Sequence, residues 1–427
     1  MTEPLPPSLL QIASCVSGYD PDAMPLAQAR DFIERLVPRV DAIESLALRS
    51  ALGRVLARDI VSDLDVPAHD NSAMDGYALR ANDLAPHGPT LLRITGSRLA
   101  GQAEVAAAGT GECVRIMTGA MLPAGLDTVV PQEFVQVDGD RLQIPAGAVR
   151  PGANRRRAGE DLARGEVTLR AGRILRPADL GLLASLGLAE VPVRRRLRVA
   201  FFSTGNELRS VGQALGPGCV YDSNRYTLWG MLQRLGVDAI DVGVVPDEPA
   251  ALAAAFTSAA AAADAVITSG GVSVGDADHT RQVMAEVGDV LFWHVAMRPG
   301  RPLAIGRIGA AVLFGLPGNP VAVMVTFYAL VRDALLAMSG ATPLPLPLLR
   351  ARSCGSIRKR PGRSEYQRGI VSRADNSGDW QVRLTGAQGS GILRSMSEAN
   401  GLIVLGDAQG DVSAGDWVDV LPFDGLV

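Results

Sequence analysis

The chain reads as a multidomain protein of the α/β plus β type. It combines a central α/β domain with a mostly parallel sheet, a small β module, a helical connecting region and a C-terminal β barrel. Three observations support this. The 427 residues exceed what one ordinary hydrophobic core holds. Residues 196–340 alternate short apolar runs with helically spaced segments. Residues 58–150 and 341–427, on either side, consist of short β-type runs cut by Gly and Pro.

In chain order, residues 25–57 space Leu, Ile and Val helically, which predicts one or two helices. Runs such as LLRITGSRL, ECVRIM, DTVVPQEFVQV and RLQIP make 58–150 a small all-β module. RPADLGLLASLGL returns to helical spacing within 151–195, so 1–57 and 151–195 together form a helical connecting domain, since neither holds a full core alone. In 196–340 the predicted strands are LRVAFFSTG, DAIDVGVV, DAVITSGG, LFWHVAM, PLAIG and AVLFGLPG. Helices are predicted at NRYTLWGMLQRLG, EPAALAAAFTSAAAAA, DHTRQVMAEVG and VAVMVTFYALVRDALLAMSG. Such alternation places helices on both faces of the sheet and ligands outside the carboxyl ends of its strands. The Pro-rich stretch ATPLPLPLL then links to the barrel in 341–427.

Composition narrows the function. A net charge of −4 and a pI near 5.7 argue against a nucleic-acid binder that works by neutralising phosphates. Cys15, Cys113, Cys219 and Cys354 form no CxxC pair, which fits reduced thiols and gives no cysteine zinc site. IASC near the N-terminus faintly mimics a lipoprotein cleavage site, but no basic segment or long apolar stretch precedes it. No apolar run approaches the roughly 20 residues needed to cross a bilayer. A soluble, cytoplasmic protein without membrane or nucleic-acid partners is the expectation.

Chemistry concentrates at predicted strand ends. In Asp264–Thr280 an apolar strand breaks into Thr268-Ser269-Gly270-Gly271, continues through Ser273 and Gly275, and ends in Asp276 and Asp278. Paired glycines expose backbone N–H groups that an anion can approach. Carboxylates beside them would repel a bare phosphate, which suggests a bridging metal and a phosphorylated ligand. One glycine pair is compatible with a plain turn. Here, however, the topology brings Ser203–Glu207, Thr268–Asp278 and Gly315–Pro320 to one sheet edge. In Asp222–Arg225, Ser223 or Asn224 is either a helix N-cap or part of a ligand-facing loop. Arg298 and Arg301 in MRPGRP are either a solvated pair or an oxyanion clamp. His69–Tyr77 and Arg115–Ala120 are either surface turns or a second functional cluster.

These residues closely resemble the molybdopterin molybdenumtransferase family of the MoeA type, which includes the gephyrin E domain. The matching motifs are collinear along nearly the whole chain: DNSAMDGYA (70–78), RIMTGA (115–120), VVPQE (129–133), AGEDL (158–162), STGNEL (203–208), YDSNR (221–225), TSGGVSVGDAD (268–278), PGRP (299–302), GLPGNP (315–320), EYQRG (365–369) and QGS (388–390). The resemblance implies an elongated four-domain homodimer, with the molybdopterin-binding α/β domain of one subunit facing the β module of the other. The implied reaction inserts molybdate into adenylylated molybdopterin, releasing AMP, with Mg²⁺ assistance.

Carried over by motif, the implied catalytic residues are Asp75, Thr118, Asp161, Glu207, Asp247 and Asp278. Asp278, with Glu207, would hold Mg²⁺ at the ligand's pyrophosphate. Gly270, Gly271 and Ser273 would cradle phosphate, and Arg298, Arg368 and Ser390 would surround molybdate. Ser223, His294, Arg301, Pro317 and Asn319 complete the implied substrate-binding set. The chain departs from the family at His294, Arg298 and Arg301, where a W-K-x-x-x-K-P-G-K pattern is usual, and at Ala322, where serine is common. A neutral His294 would weaken anion binding as pH rises. Two other readings are a molybdopterin adenylyltransferase-like enzyme, against which the flanking β modules tell, and a non-catalytic cofactor-binding or scaffold protein.

Overall fold

A computed structural model of the chain describes residues 8–14, 20–102, 107–272, 279–343, 345–375 and 378–424. It divides into two compact units, one of Ser45–Leu52 and Arg58–Pro192, the other of Met1–Glu44, Gly53–Ala57 and Val193–Val427.

The smaller unit is built on a six-stranded sheet of β1 (Gly76–Leu79), β2 (Thr90–Arg98), β3 (Glu112–Ile116), β4 (Thr128–Pro131), β5 (Gln136–Asp138) and β6 (Arg141–Ile144). The strands lie in the order β4-β1-β3-β2-β6-β5, and only β2 and β3 run parallel. Successive residues of a strand point to opposite faces, so Val114 and Ile116 enter one core while Cys113 joins Tyr77 and Val130 in another.

The larger unit holds a central sheet of β7 (Arg198–Thr204), β8 (Asp238–Val245), β9 (Ala265–Ser269), β10 (Asp289–His294), β11 (Pro302–Ile308) and β12 (Ala311–Leu316). Its order is β8-β7-β9-β12-β11-β10; the first four strands are parallel, β11 runs against β12, and β10 runs against β11. Both faces are covered, which explains the unbroken apolar runs. Val199, Phe201, Ile267 and Phe314 pack toward the helices Asn224–Arg234 and Pro320–Thr326. Ala200, Phe202, Val266 and Leu313 pack toward Pro249–Ala262 and His279–Val287.

A closed five-stranded barrel follows, made of β13 (Leu349–Ser353), β14 (Ser364–Arg373), β15 (Trp380–Leu384), β16 (Gly401–Leu405) and β17 (Trp417–Pro422). It joins the α/β domain through Met297–Arg298, which pairs in parallel with Ser364 and Glu365 at the start of β14.

Of the one or two helices expected in 25–57, one forms at Leu26–Leu36; a strand at Ile43–Ala47 and a short 3₁₀ turn at Leu48–Ala51 follow it. The preceding helix stops at Leu36 because Pro38 disfavours helical backbone at Val37, which is extended. Among the described residues, the helical stretch Pro320–Met338 does reach 19 residues with a mean hydropathy of 1.8, enough to span a bilayer by length and composition. It is 72% buried inside the protein, as a core helix would be, and a π-helical segment at Phe327–Val331 interrupts it.

Phe202 is fully buried and meets Phe256 edge-on at 5.1 Å between ring centroids. Phe202→Ala is expected to lower stability by about 3–5 kcal/mol, read as an earlier urea midpoint in far-UV circular dichroism.

Candidate active site

The register of the parallel strands sets the site. Ser203 pairs with Ser269, Ser269 with Leu316, and Thr204 with Val245, so four strands end on one line. At that line β7 and β9 turn from large apolar residues to small hydroxyls, and these bond to one another. Ser203 Oγ donates to Asp222 Oδ1 at 3.0 Å and lies 3.0 Å from Ser269 Oγ. Asn224 Nδ2 reaches Ser269 Oγ at 3.3 Å and the Gly318 carbonyl at 2.7 Å. The helix N-cap expected of Ser223 or Asn224 is supplied by neither side chain: the Asp222 carboxylate accepts the Arg225 N–H at 3.1 Å.

Gly270 and Gly271 adopt positive φ of 97° and 67°. A Cβ on Gly271 would fall 2.2 Å from Thr280, and one on Gly270 would fall 2.7 Å from the Thr204 carbonyl, so only glycine fits this turn. Thr280 Oγ1 donates to Asp247 Oδ1 at 3.3 Å, fixing an acid beyond the end of β8. Glu207 is exposed, and its carboxylate folds back over Gly205. Pro317 is buried, whereas Asn319 is exposed at the head of the helix Pro320–Thr326. Ser273 and Asp278 lie outside the described residues.

Where the barrel meets the α/β domain, a cavity of about 390 Å³ is lined by Arg298, Arg358, Gln367, Arg368 and Gln388, among others. Arg368 is 1% exposed. Its guanidinium donates to Ser395 Oγ at 3.0 Å and to the carbonyls of Gly389 at 3.0 Å and Ala387 at 3.5 Å, and none of its bonds goes to a carboxylate. Burial, reinforced by the neighbouring Arg298, pulls its pKa down to about 10, so at neutral pH it stays a buried cation. Glu365 also lines the cavity, but Arg363 and Gln367 engage its carboxylate at 3.0 and 3.2 Å. A cavity with this charge suits an anion.

The same loop ties the cavity to the strand ends. Next to Gly389, the Ser390 carbonyl accepts the Val321 N–H at 3.0 Å, just beyond Asn319. His294 and Arg301 turn elsewhere: His294 lies 3.5 Å from Asp22, and Arg301 donates to the Asp22 carbonyl at 3.2 Å.

In the smaller unit Asp75 is exposed and accepts two bonds from Thr118, from N–H and from Oγ1, each at 2.7 Å. The Thr118 backbone donor, then its hydroxyl, holds the Asp75 carboxyl below its ordinary range. Asp161 is exposed, with its N–H bonded to the Val66 carbonyl at 3.0 Å. Among the described residues no group of three or more His, Cys, Asp or Glu side chains could hold a metal by itself.

Comparison with known proteins decides the family. Residues 24–187 match the MoeA N-terminal region (domain I and II), 200–337 a probable molybdopterin binding domain, and 350–423 the MoeA C-terminal region (domain IV). The chain belongs to the MoeA family. It is 42% identical over 403 residues to a protein of Haemophilus influenzae named molybdopterin molybdenumtransferase, covering 94% of this chain and 99% of that one. A protein of the same name from Nostoc is 36% identical over 416 residues, covering 93% and 94%. The crystal structure of a MoeA molybdopterin biosynthesis protein from Pyrococcus horikoshii superposes with a TM-score of 0.81 at 29% identity, covering 94% of this chain and all of that one.

Several residues of this MoeA chain escaped sequence reasoning. Gln388, which accepts the Arg368 N–H at 2.8 Å, sat inside the QGS motif without a role, as Asp222 did in YDSNR. Nothing in spacing alone marks Arg358 or Gln367 as cavity residues.

A carboxyl whose folded pKa is depressed is ionised further into acid, and losing the donor moves its titration upward. Thr118→Val is therefore expected to raise the Asp75 pKa, measured by NMR titration, and to shift the acid limb of activity to higher pH. Gly271→Ala is expected to weaken phosphate-ligand binding at least about tenfold, because 1.4 kcal/mol of strain already gives that factor. Calorimetric titration would read it.

Proposed function

We propose that this MoeA-family chain is a molybdopterin molybdenumtransferase that inserts molybdate into adenylylated molybdopterin and releases AMP. The observation that carries the reading is Arg368, a buried cation without an acidic partner, beside Arg298 in a cavity whose loop also bonds to Val321, just after the Gly315–Pro320 turn. That arrangement supports a tetrahedral dianion held within reach of a ligand on the strand ends. The α/β domain alone would lack Arg368, which disfavours the adenylyltransferase reading.

The division of labour follows from the side chains. The backbone N–H of Gly271 would donate to a phosphate oxygen, whereas that of Gly270 is already given to the Leu316 carbonyl at 3.0 Å. Arg298 and Arg368 would hold molybdate by charge and by the N–H donors not already given to Ser395, Ala387 and Gly389, without reducing it. Mg²⁺ is the proposed cofactor. Its preference for hard oxygen ligands, mostly phosphates and water with one or two carboxylates, suits the carboxylates of Glu207 and Asp278, which would hold it. When bound, it would neutralise charge on the phosphoanhydride. We further infer a cytoplasmic homodimer in which Asp75, Thr118 and Asp161 of one subunit face the α/β domain of the other, as the family resemblance suggests.

Anaerobic incubation with adenylylated molybdopterin, Mg²⁺ and either molybdate or tungstate, following AMP and bound metal, tests the reading. Release of AMP coupled to metal incorporation supports it. ATP consumption with molybdopterin in the absence of molybdate would replace it with the adenylyltransferase. Asp278→Ala is expected to lose AMP release, and an unchanged rate would remove that residue's role. Molybdate at 100 times its Kd should stabilise the protein by about 2.7 kcal/mol. Arg368→Met should abolish that gain in a thermal-shift assay.

A further inference from the structure

We propose that Asn224 is a positioning residue that fixes the spacing between the Ser269–Gly270 turn and the Gly318 turn at the ligand-binding edge. The inference rests on the reading that this edge takes adenylylated molybdopterin. It follows from the direction of a chain of buried hydrogen bonds. Asp222 is 2% exposed and, as a carboxylate, only accepts. It receives the Arg225 N–H at 3.1 Å, Arg225 Nε at 3.2 Å and the Ser203 hydroxyl at 3.0 Å.

Ser203 has one hydrogen, and Asp222 takes it. In the 3.0 Å contact between Ser203 and Ser269 the hydrogen must then come from Ser269. Ser269, its own hydrogen spent, can only accept from Asn224 Nδ2. The second amide hydrogen of Asn224 goes to the Gly318 carbonyl, which also only accepts. Three bonds thus run in series from Asn224 through Ser269 and Ser203 to Asp222, a fourth leaves the same amide nitrogen for Gly318, and together they assign the amide orientation.

That orientation has a consequence for the amide oxygen. Asn224 is 8% exposed, and its Oδ1 has no partner. An orphaned buried acceptor is unfavourable, so the position is set by what the two N–H donors do. They join a residue at the end of β9 to a residue after β12. An ideal Cβ on Gly318 would lie 3.8 Å from the Gly270 Cα, so the two turns approach each other closely. Serine offers one hydrogen here and aspartate, when ionised, none; only an amide of this length serves both turns.

The test separates positioning from plain stability. Asn224→Asp keeps the shape and removes both hydrogens. Its affinity for adenylylated molybdopterin is expected to fall at least about tenfold. Its molybdate affinity at the Arg298–Arg368 cavity, measured below the unfolding range, should stay at the wild-type value even though a buried carboxylate lowers the thermal midpoint. Asn224→Gln, which restores two hydrogens on a longer arm, should recover part of the loss, and Asn224→Ala serves if the aspartate variant does not fold. Wild-type affinity in the Asp and Ala variants overturns the inference. So does a loss of pterin affinity that runs in step with molybdate binding. If the wild-type protein itself fails to bind adenylylated molybdopterin, the proposed function falls first and takes this inference with it.

Discussion

The shared end line of β7, β9 and β12 is the constraint on which the α/β domain depends. Because Ser203, Ser269 and Leu316 are paired across three strands, their loops leave at one level and their small polar groups can bond directly. Side chains alternate across a strand, so a slip of one residue would replace Ser203 with Phe202 and turn the hydroxyl toward the opposite face. Burial of both faces locks the register, since Phe201 and Phe202 each fill a different core. The ligand-facing edge is therefore as well fixed as the hydrophobic layers beneath it.

Charge distinguishes the cavity from ordinary ion pairs in the same chain. Arg195 meets Asp264 with two bonds of 3.0 and 2.9 Å, and that carboxylate, as the largest influence, raises the arginine's pKa. Arg368 is more deeply buried, meets only a hydroxyl and carbonyls, and has its pKa pulled down. The first arrangement satisfies itself. The second leaves a net positive charge in a low-dielectric place, which an incoming oxyanion neutralises without displacing an acid. The loop that receives the Arg368 donors also bonds to Val321, so an anion in the cavity and a ligand on the strand ends would share one segment.

The α/β domain was legible because two buried faces give continuous apolar strands, and amphipathic helices separate them clearly. The Gly270–Gly271 turn was legible for a different reason: positive φ and close packing against Thr280 and Thr204 leave glycine no substitute. Within 25–57 the spacing left one or two helices open, and the single helix ends before Pro38, after which Ile43–Ala47 forms a short strand. Asp222 and Asn224 were hidden by resemblance to a helix cap, whose residue types they share. Arg368 was placed near the anion by its motif, but its isolation from every carboxylate is a property of packing, and no linear pattern encodes it.

The arginines at 298 and 301, where the family usually has lysines, look different against the whole sequence. Lys359 is the only lysine in the chain, so arginine has replaced lysine throughout and not only around the cavity. That lysine is buried, with Nζ bonded to the Asp407 carbonyl at 2.9 Å, and does not line the cavity. The substitutions at the site thus need no special tuning to another oxyanion to explain them. Their chemistry still matters at 298: backbone pairing with Glu365 holds Arg298 beside Arg368, and a planar fork offers two directed donors where an ammonium offers a point charge. Arg301, bound to the Asp22 carbonyl, makes no such contribution to the cavity. One replacement therefore shapes the anion's surroundings, and the other records only the composition of the chain.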